Sequence, residues 1–177
     1  MSKYAREQAR ILVERLGLKN PPVPVEKLAK SLGVRIEYNP FDDELSGMAF
    51  LRDGKPIIGV NSKHHPNRQR FTIAHELGHI VLHRSHLETA VLIDKSKNFM
   101  IEEGKNFIPR NQTSAEGSDP LEIQANAFAS ELLLPAKLVR QVLSESTGDL
   151  HDDAYLISLA QRFRVSLTAF QLRLDQI

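Results

Sequence analysis

The sequence predicts an α+β fold, in which a small three-stranded sheet packs on one helix rich in metal-ligating residue types and is followed by a helical C-terminal part. Three observations predict it. Three short β-prone runs fall between residues 34 and 61. A helix-period stretch with three histidines follows directly at about 66–84. From residue 121 onward the apolar spacing is three and four, with caps and stops between segments.

Residues 3–17 read as a helix, with Tyr4, Ala5, Ala9, Leu12, Val13 and Leu16 on one face and Gly17 at its end. Asn20-Pro21-Pro22-Val23-Pro24 is a stiff connector. Val25 to Leu32 is a short helix closed by Gly33. Residues 34–38 alternate and read as a strand, and 39–43 as a loop. Ser46 to Leu51 is the second strand; Asp53-Gly54 marks a tight hairpin, and Pro56 to Asn61 returns. The second strand is either an edge that pairs with an extended peptide or plain cover for the core. Residues 85–120 have weak periodicity and read as a variable loop, either a flap over a cleft or disorder. Helices follow at 121–134, stopped by Pro135, and at about 136–146, ended by Gly148. Residues 152–163 are helical, Arg164-Val165 turns, and Ser166 caps a last helix to about Asp175. The whole reads as one domain over 1–177: an N-terminal part to residue 65, the histidine helix, the variable loop, the 121–134 helix and a helical part from 136.

Composition narrows the chemistry. Hydrophobic content is 41% and charged content 25%, ordinary for a globular protein. A net charge of +1 makes no global case for nucleic acid or an anionic membrane. With no cysteine, any metal must be held by His, Asp or Glu. The charged N-terminus has no signal-peptide core and no apolar run reaches membrane-spanning length, so the expected location is the cytoplasm.

The chemistry centres on His75-Glu76-x-x-His79. Residues four apart stack on one helix face, so both imidazoles can aim at one point. Zn²⁺ takes imidazole nitrogen and prefers four tetrahedral ligands. Glu76, beside the first ligand, reaches a water on the ion without occupying the ion itself. Phe71, Ala74, Leu77, Gly78, Val81 and Leu82 make an apolar stripe beside the histidines, and Pro66-Asn67 starts the helix. Gly78 costs about 1 kcal/mol in a helix interior, which implies a close neighbour.

A catalytic zinc site needs a third protein ligand. Glu122 opens a partly apolar helix face that Asn126 and Ala129 continue, and is assigned as that ligand over Glu131, Glu116 and Asp119. Asn126 then accepts a hydrogen bond from the other nitrogen of a ligating imidazole. His83, four residues past His79, stays open among ligand, donor to a ligand, oxyanion stabiliser and simple helix end. His151 and Tyr155 are further candidates for oxyanion donors. Two His and one Glu also suit Mn²⁺ or Fe²⁺.

Two segments carry a family likeness. Arg70-Phe71-Thr72-x-Ala74-His75-Glu76-Leu77-Gly78-His79-x-x-Leu82-His83 is one. Glu122-x-x-Ala125-Asn126-x-Phe128-Ala129-x-x-Leu132-Leu133-x-Pro135 is the other. Together they resemble the ImmA/IrrE metallo-endopeptidases, as does Leu159 to Leu174. The likeness implies a zincin-like minimal metallopeptidase fold of the gluzincin kind. It implies a zinc endopeptidase with His75, His79 and Glu122 as metal ligands and Glu76 as catalytic base. It also implies a helix-turn-helix transcriptional repressor as protein substrate, cut to derepress genes of a phage, mobile element or stress response. The 43 residues from His79 to Glu122 are long for that family and leave the cleft rim open. A rival from another class is a non-catalytic DNA- or protein-binding regulator, using the helix–turn–helix pattern of Leu156–Leu174. Its few arginines, Arg162, Arg164 and Arg173, argue against direct nucleic-acid binding.

Overall fold

The structure is a computed structural model that describes residues 2–89, 91–95, 107–109 and 119–177. Its elements run α1 (Ser2–Arg15), α2 (Val25–Ser31), β1 (Arg35–Asn39), β2 (Leu45–Arg52), β3 (Lys55–Asn61) and α3 (Pro66–Leu82). Then come α4 (Arg84–Thr89), β4 (Val91–Lys95), β5 (Phe107–Pro109), α5 (Pro120–Leu133), α6 (Ala136–Ser144), α7 (Asp153–Phe163) and α8 (Leu167–Leu174). The fold is α+β, as the sequence reading has it.

The three expected strands form, and the hairpin between β2 and β3 turns at Asp53 and Gly54, both at positive φ. That is what a two-residue turn needs to match strand twist. Two further strands, β4 and β5, extend the sheet to five in the order β1-β3-β2-β4-β5. The stretch read as loop from 85 to 120 therefore contributes α4, β4 and β5; its remainder lies outside the described residues. Five-residue β4 alternates too briefly to stand out among loop-like neighbours.

The added strands settle the role of β2. It pairs antiparallel with β3 on one side and with β4 on the other, with Gly47, Met48 and Ala49 engaged on both. Over Gly47 to Ala49 an extended peptide therefore has no open backbone edge on β2. The sheet edges are β1 and β5.

Helix α3 lies between the sheet and α5. Apart from Phe71, every residue from Arg70 to Ile80 is buried. A helix covered on both sides does not show one clean apolar stripe, which is why polar Thr72, His75, Glu76 and His79 share its interior. Phe71, read as part of the stripe, is 38% exposed instead. Gly78 has the neighbour its cost implied: a Cβ there would sit 3.1 Å from Phe128 Cδ1 and 3.3 Å from Ala125 Cα of α5. Gly47 does the same on the sheet side, where an added Cβ would lie 2.7 Å from Gly59 O and 3.8 Å from Glu76 Cγ. Two glycines thus let α5 and β2 close on the histidine helix.

The chain start packs into this body through α1, whose Ala5, Ala9 and Leu12 are buried, and α1 lies along α5. No helix among the described residues is long and apolar enough to cross a membrane.

Candidate metal centre

Helix α3 starts where Pro66 takes the first position and His65 Nδ1 accepts from Asn67 N at 3.2 Å. From that start the helix delivers His75 and His79 to one face. Helix α5 starts at Pro120, capped by Asp119, whose Oδ1 accepts from Leu121 N at 2.8 Å. Its first turn carries Glu122 to the same point.

The structure brings His75, His79 and Glu122 together, all buried. His75 Nε2 lies 3.2 Å from His79 Nε2 and 3.2 Å from Glu122 Oε2. His79 Nε2 lies 3.2 Å from Glu122 Oε1. A tetrahedral ion with bonds near 2.0–2.1 Å sets neighbouring ligand atoms ~3.3 Å apart. The spacing of the two nitrogens matches that figure, and each nitrogen has its own Glu122 oxygen at the same distance.

The chemistry of the donors points the same way. Asn126 Oδ1 is 2.9 Å from His75 Nδ1, and an amide oxygen only accepts, so Nδ1 carries a proton. In neutral His75 the lone pair is then on Nε2, facing the cluster. One proton shared among the two ring nitrogens and the two carboxylate oxygens serves one contact and leaves lone pairs opposed in the others. One cation at the centre serves all three. The residues present therefore fit a divalent metal, and the two-nitrogen, one-oxygen set suits zinc while also admitting Mn²⁺ or Fe²⁺.

Neighbouring side chains hold these ligands in orientation. His79 Nδ1 is 3.0 Å from His83 Nδ1, and His83 is buried. With His79 Nε2 turned to the cluster, its Nδ1–H donates and His83 Nδ1 accepts. The contact puts His83 against the His79 ring, and acceptor is a role the sequence reading did not weigh for it. The ring ladder continues from His83 to His86, centroids 6.2 Å apart, on α4. His86 is a neighbour the sequence reading did not single out; its only signal was three-residue spacing from His83. Glu76 is fully buried under β2 at Gly47. Gly47 was also missed, and the signal was a glycine inside a strand.

The remaining candidates lie elsewhere. Glu131 takes Arg173 Nη2 on one oxygen, and its other oxygen accepts from Ala136 N at 3.3 Å. Asp119 is the α5 cap, and Glu116 lies outside the described residues. The Tyr155 hydroxyl is bonded to Ser146 Oγ, and His151 is exposed between α6 and α7.

Burial acts on the two flanking arginines. It pulls the Arg70 guanidinium below its usual range, against the opposing pull of Glu26. Arg70 Nη2 donates to Val23 O at 2.9 Å, tying the proline-rich connector to α3. Burial likewise lowers Arg173, and Glu131 pulls it back.

A model of the Peptidase_M78 family, described as the IrrE N-terminal-like domain, matches residues 29–175. No curated protein matches the chain. Among solved structures, a Mycobacterium tuberculosis transcriptional regulator superposes with a TM-score of 0.57 at 17% identity. The match covers 94% of this chain and 45% of that one, so this chain spans less than half of the regulator's length. At that identity the likeness is one of fold.

Proposed function

We propose that this chain, which belongs to the Peptidase_M78 family of IrrE N-terminal-like domains, is a zinc-dependent endopeptidase whose 1–177 span works as one metallopeptidase domain. Its substrate in this reading is a helix-turn-helix transcriptional repressor, and cutting it derepresses genes of a mobile element, phage or stress response. The observation that carries the reading is the cluster in which His75 Nε2 and His79 Nε2 lie 3.2 Å apart and each lies 3.2 Å from one oxygen of the Glu122 carboxylate.

A divalent ion bound there supplies a Lewis acid that polarises a peptide carbonyl and acidifies water. The rest is the work of the chain. Asn126 keeps the His75 proton on Nδ1, and His83 keeps the His79 proton on Nδ1, so both Nε2 atoms present lone pairs. The Glu76 carboxylate accepts the proton of the attacking water and returns it to the leaving amine. Burial under β2 keeps Glu76 away from bulk water, which suits a group that must hold a proton between two steps.

The test is Glu76→Gln. The variant should bind one metal per chain and leave a co-expressed helix-turn-helix repressor uncut. Full cleavage by that variant would remove Glu76 from the mechanism.

A second reading has support from one feature. Helix α7, the left-handed turn at Arg164 and the Ser166 cap of α8 form a helix–turn–helix, which suits a regulator that binds DNA or protein without chemistry. Arg173 is buried against Glu131, which removes it from any phosphate-facing set. Duplex binding that weakens steeply with salt would favour this alternative.

A further inference from the structure

Beside the metal cluster runs a groove of about 1110 Å³. Asn126, which holds His75, is one of its lining residues, so the groove and the cluster share a wall. Phe71, Ile123, Ile157 and Leu172 line it, half of the eight large exposed apolar side chains among the described residues. Small-ligand pockets run to roughly 300–1,000 Å³. The volume and the apolar lining suit a segment of a macromolecule instead.

Two features specify the occupant. The walls are helices α1, α3, α5, α7 and α8. The N-termini of α3 and α8 that border the groove are capped by His65 and Ser166. Among the described residues no wall offers a strand edge, so an extended peptide would bury its own N–H and C=O groups there without partners. A helix satisfies those groups internally and lays only side chains into the groove. The second feature is charge. Among the described residues no Asp or Glu lines the groove, whereas Arg6 and Arg68 do. Arg6 donates to Gln176 Oε1 and Arg68 to Ser46 Oγ, both neutral acceptors, and neither pairs with a carboxylate among the described residues.

We propose that this groove docks an amphipathic helix of the protein substrate, apolar face inward and carboxylates at its flanks to meet Arg6 and Arg68. Its identification as substrate rests on the endopeptidase reading; the docking chemistry does not. The helix anchors the folded substrate while an adjoining segment enters beside Asn126 and Phe71.

Three labelled synthetic peptides, about five helical turns long, test it by fluorescence anisotropy with the full chain. One carries leucines at helical spacing with glutamates flanking them. The second has lysines for the glutamates, and the third a central proline. The acidic peptide should bind at least about tenfold tighter than either control, and Leu172→Glu or the Arg6→Glu/Arg68→Glu pair should weaken it by about tenfold or more. Both substitution sets fall on exposed or half-exposed positions, and unchanged melting curves will show that the fold is kept. Glu76→Gln should bind the peptide like wild type. Equal binding of all three peptides, or no effect of Leu172→Glu, overturns the proposal. So does a dimer that Leu172→Glu splits, because the groove then belongs to a second copy. Hydrolysis of unfolded casein separates the two readings. Peptide binding without casein hydrolysis sinks the endopeptidase and leaves the groove. Casein hydrolysis without peptide binding sinks the groove alone.

Discussion

Helix α5 carries two buried glutamates, one near each end, and the contrast between them is instructive. Glu131 and Glu122 are each 5% exposed. Around Glu131 the chain supplies donors. Arg173 reaches it with Nη2 while its Nε donates to Leu134 O at 2.9 Å, and Ala136 N gives Glu131 a second donor. The charge is answered from within the fold. Around Glu122 the chain supplies two imidazole nitrogens whose protons are engaged on the far side, by Asn126 and His83. The same helix and the same burial therefore yield an internal ion pair at one end and, at the other, a cluster with the spacing to hold a cation. What differs is whether the facing groups are donors or acceptors. A buried carboxylate with donors holds the fold together, and one among acceptors fits an ion from outside.

The contrast can be broken at its structural end first. Arg173→Met leaves Glu131 buried without its cation and should destabilise the fold by about 3–5 kcal/mol in urea melts. Adding Glu131→Leu should recover most of that loss. Metal content per folded chain should stay at the wild-type value in both; a loss of metal would mean that the two ends of α5 are not independent.

The other end should respond to metal instead. Stripping the ion with a chelator should lower stability by about 2.7 kcal/mol relative to protein held at 100 times its metal dissociation constant. Glu122→Gln should make the melt insensitive to chelator. A variant still stabilised by zinc to the wild-type extent would take Glu122 out of the ligand set.

Asn126→Ala sharpens the comparison further. It removes the acceptor that fixes the His75 proton and should weaken metal binding by about 10–100-fold, read by competition with a coloured chelator. Apo-protein stability should change far less. The smallest effect belongs to Gly78→Ala. The added methyl meets Phe128 and Ala125 at 3.1 and 3.3 Å, while alanine favours the helix by about 1 kcal/mol. The opposing contributions should leave stability within about 1 kcal/mol of wild type. The displaced α5 should carry Glu122 with it and weaken the metal, so an unchanged metal affinity would show that the crossing tolerates more than its spacing suggests.

Local pattern carried much of this architecture. The caps, the proline and glycine stops and the Asp53-Gly54 hairpin are written in neighbouring residues, and the helices and strands they bound appear within a residue or two of expectation. His75, Glu76 and His79 were legible because helical periodicity converts a spacing of four into a shared face. Glu122 was legible only as one of several acids. Glu131 was as plausible by burial alone, and what separates them is Arg173, far along the chain on α8. Phe71 fitted the apolar stripe by its spacing, yet it lines a groove, because what faces it belongs to helices near the C-terminus. The place of β2 stayed open for a similar reason: whether a strand is an edge depends on β4, a partner from beyond α3.

By itself the sequence determined the histidine helix, its start and stop, the strands and helices outside residues 84–109 and the chemical types available to a metal, because each depends on residues within a turn or two of one another. Only the tertiary structure decided which acid faces the imidazoles, which nitrogen of each ring is turned inward, which strand edge is covered and where the apolar groove opens. Those features are set by side chains distant in sequence, and whether a buried carboxylate meets donors or acceptors is fixed only when the helices cross.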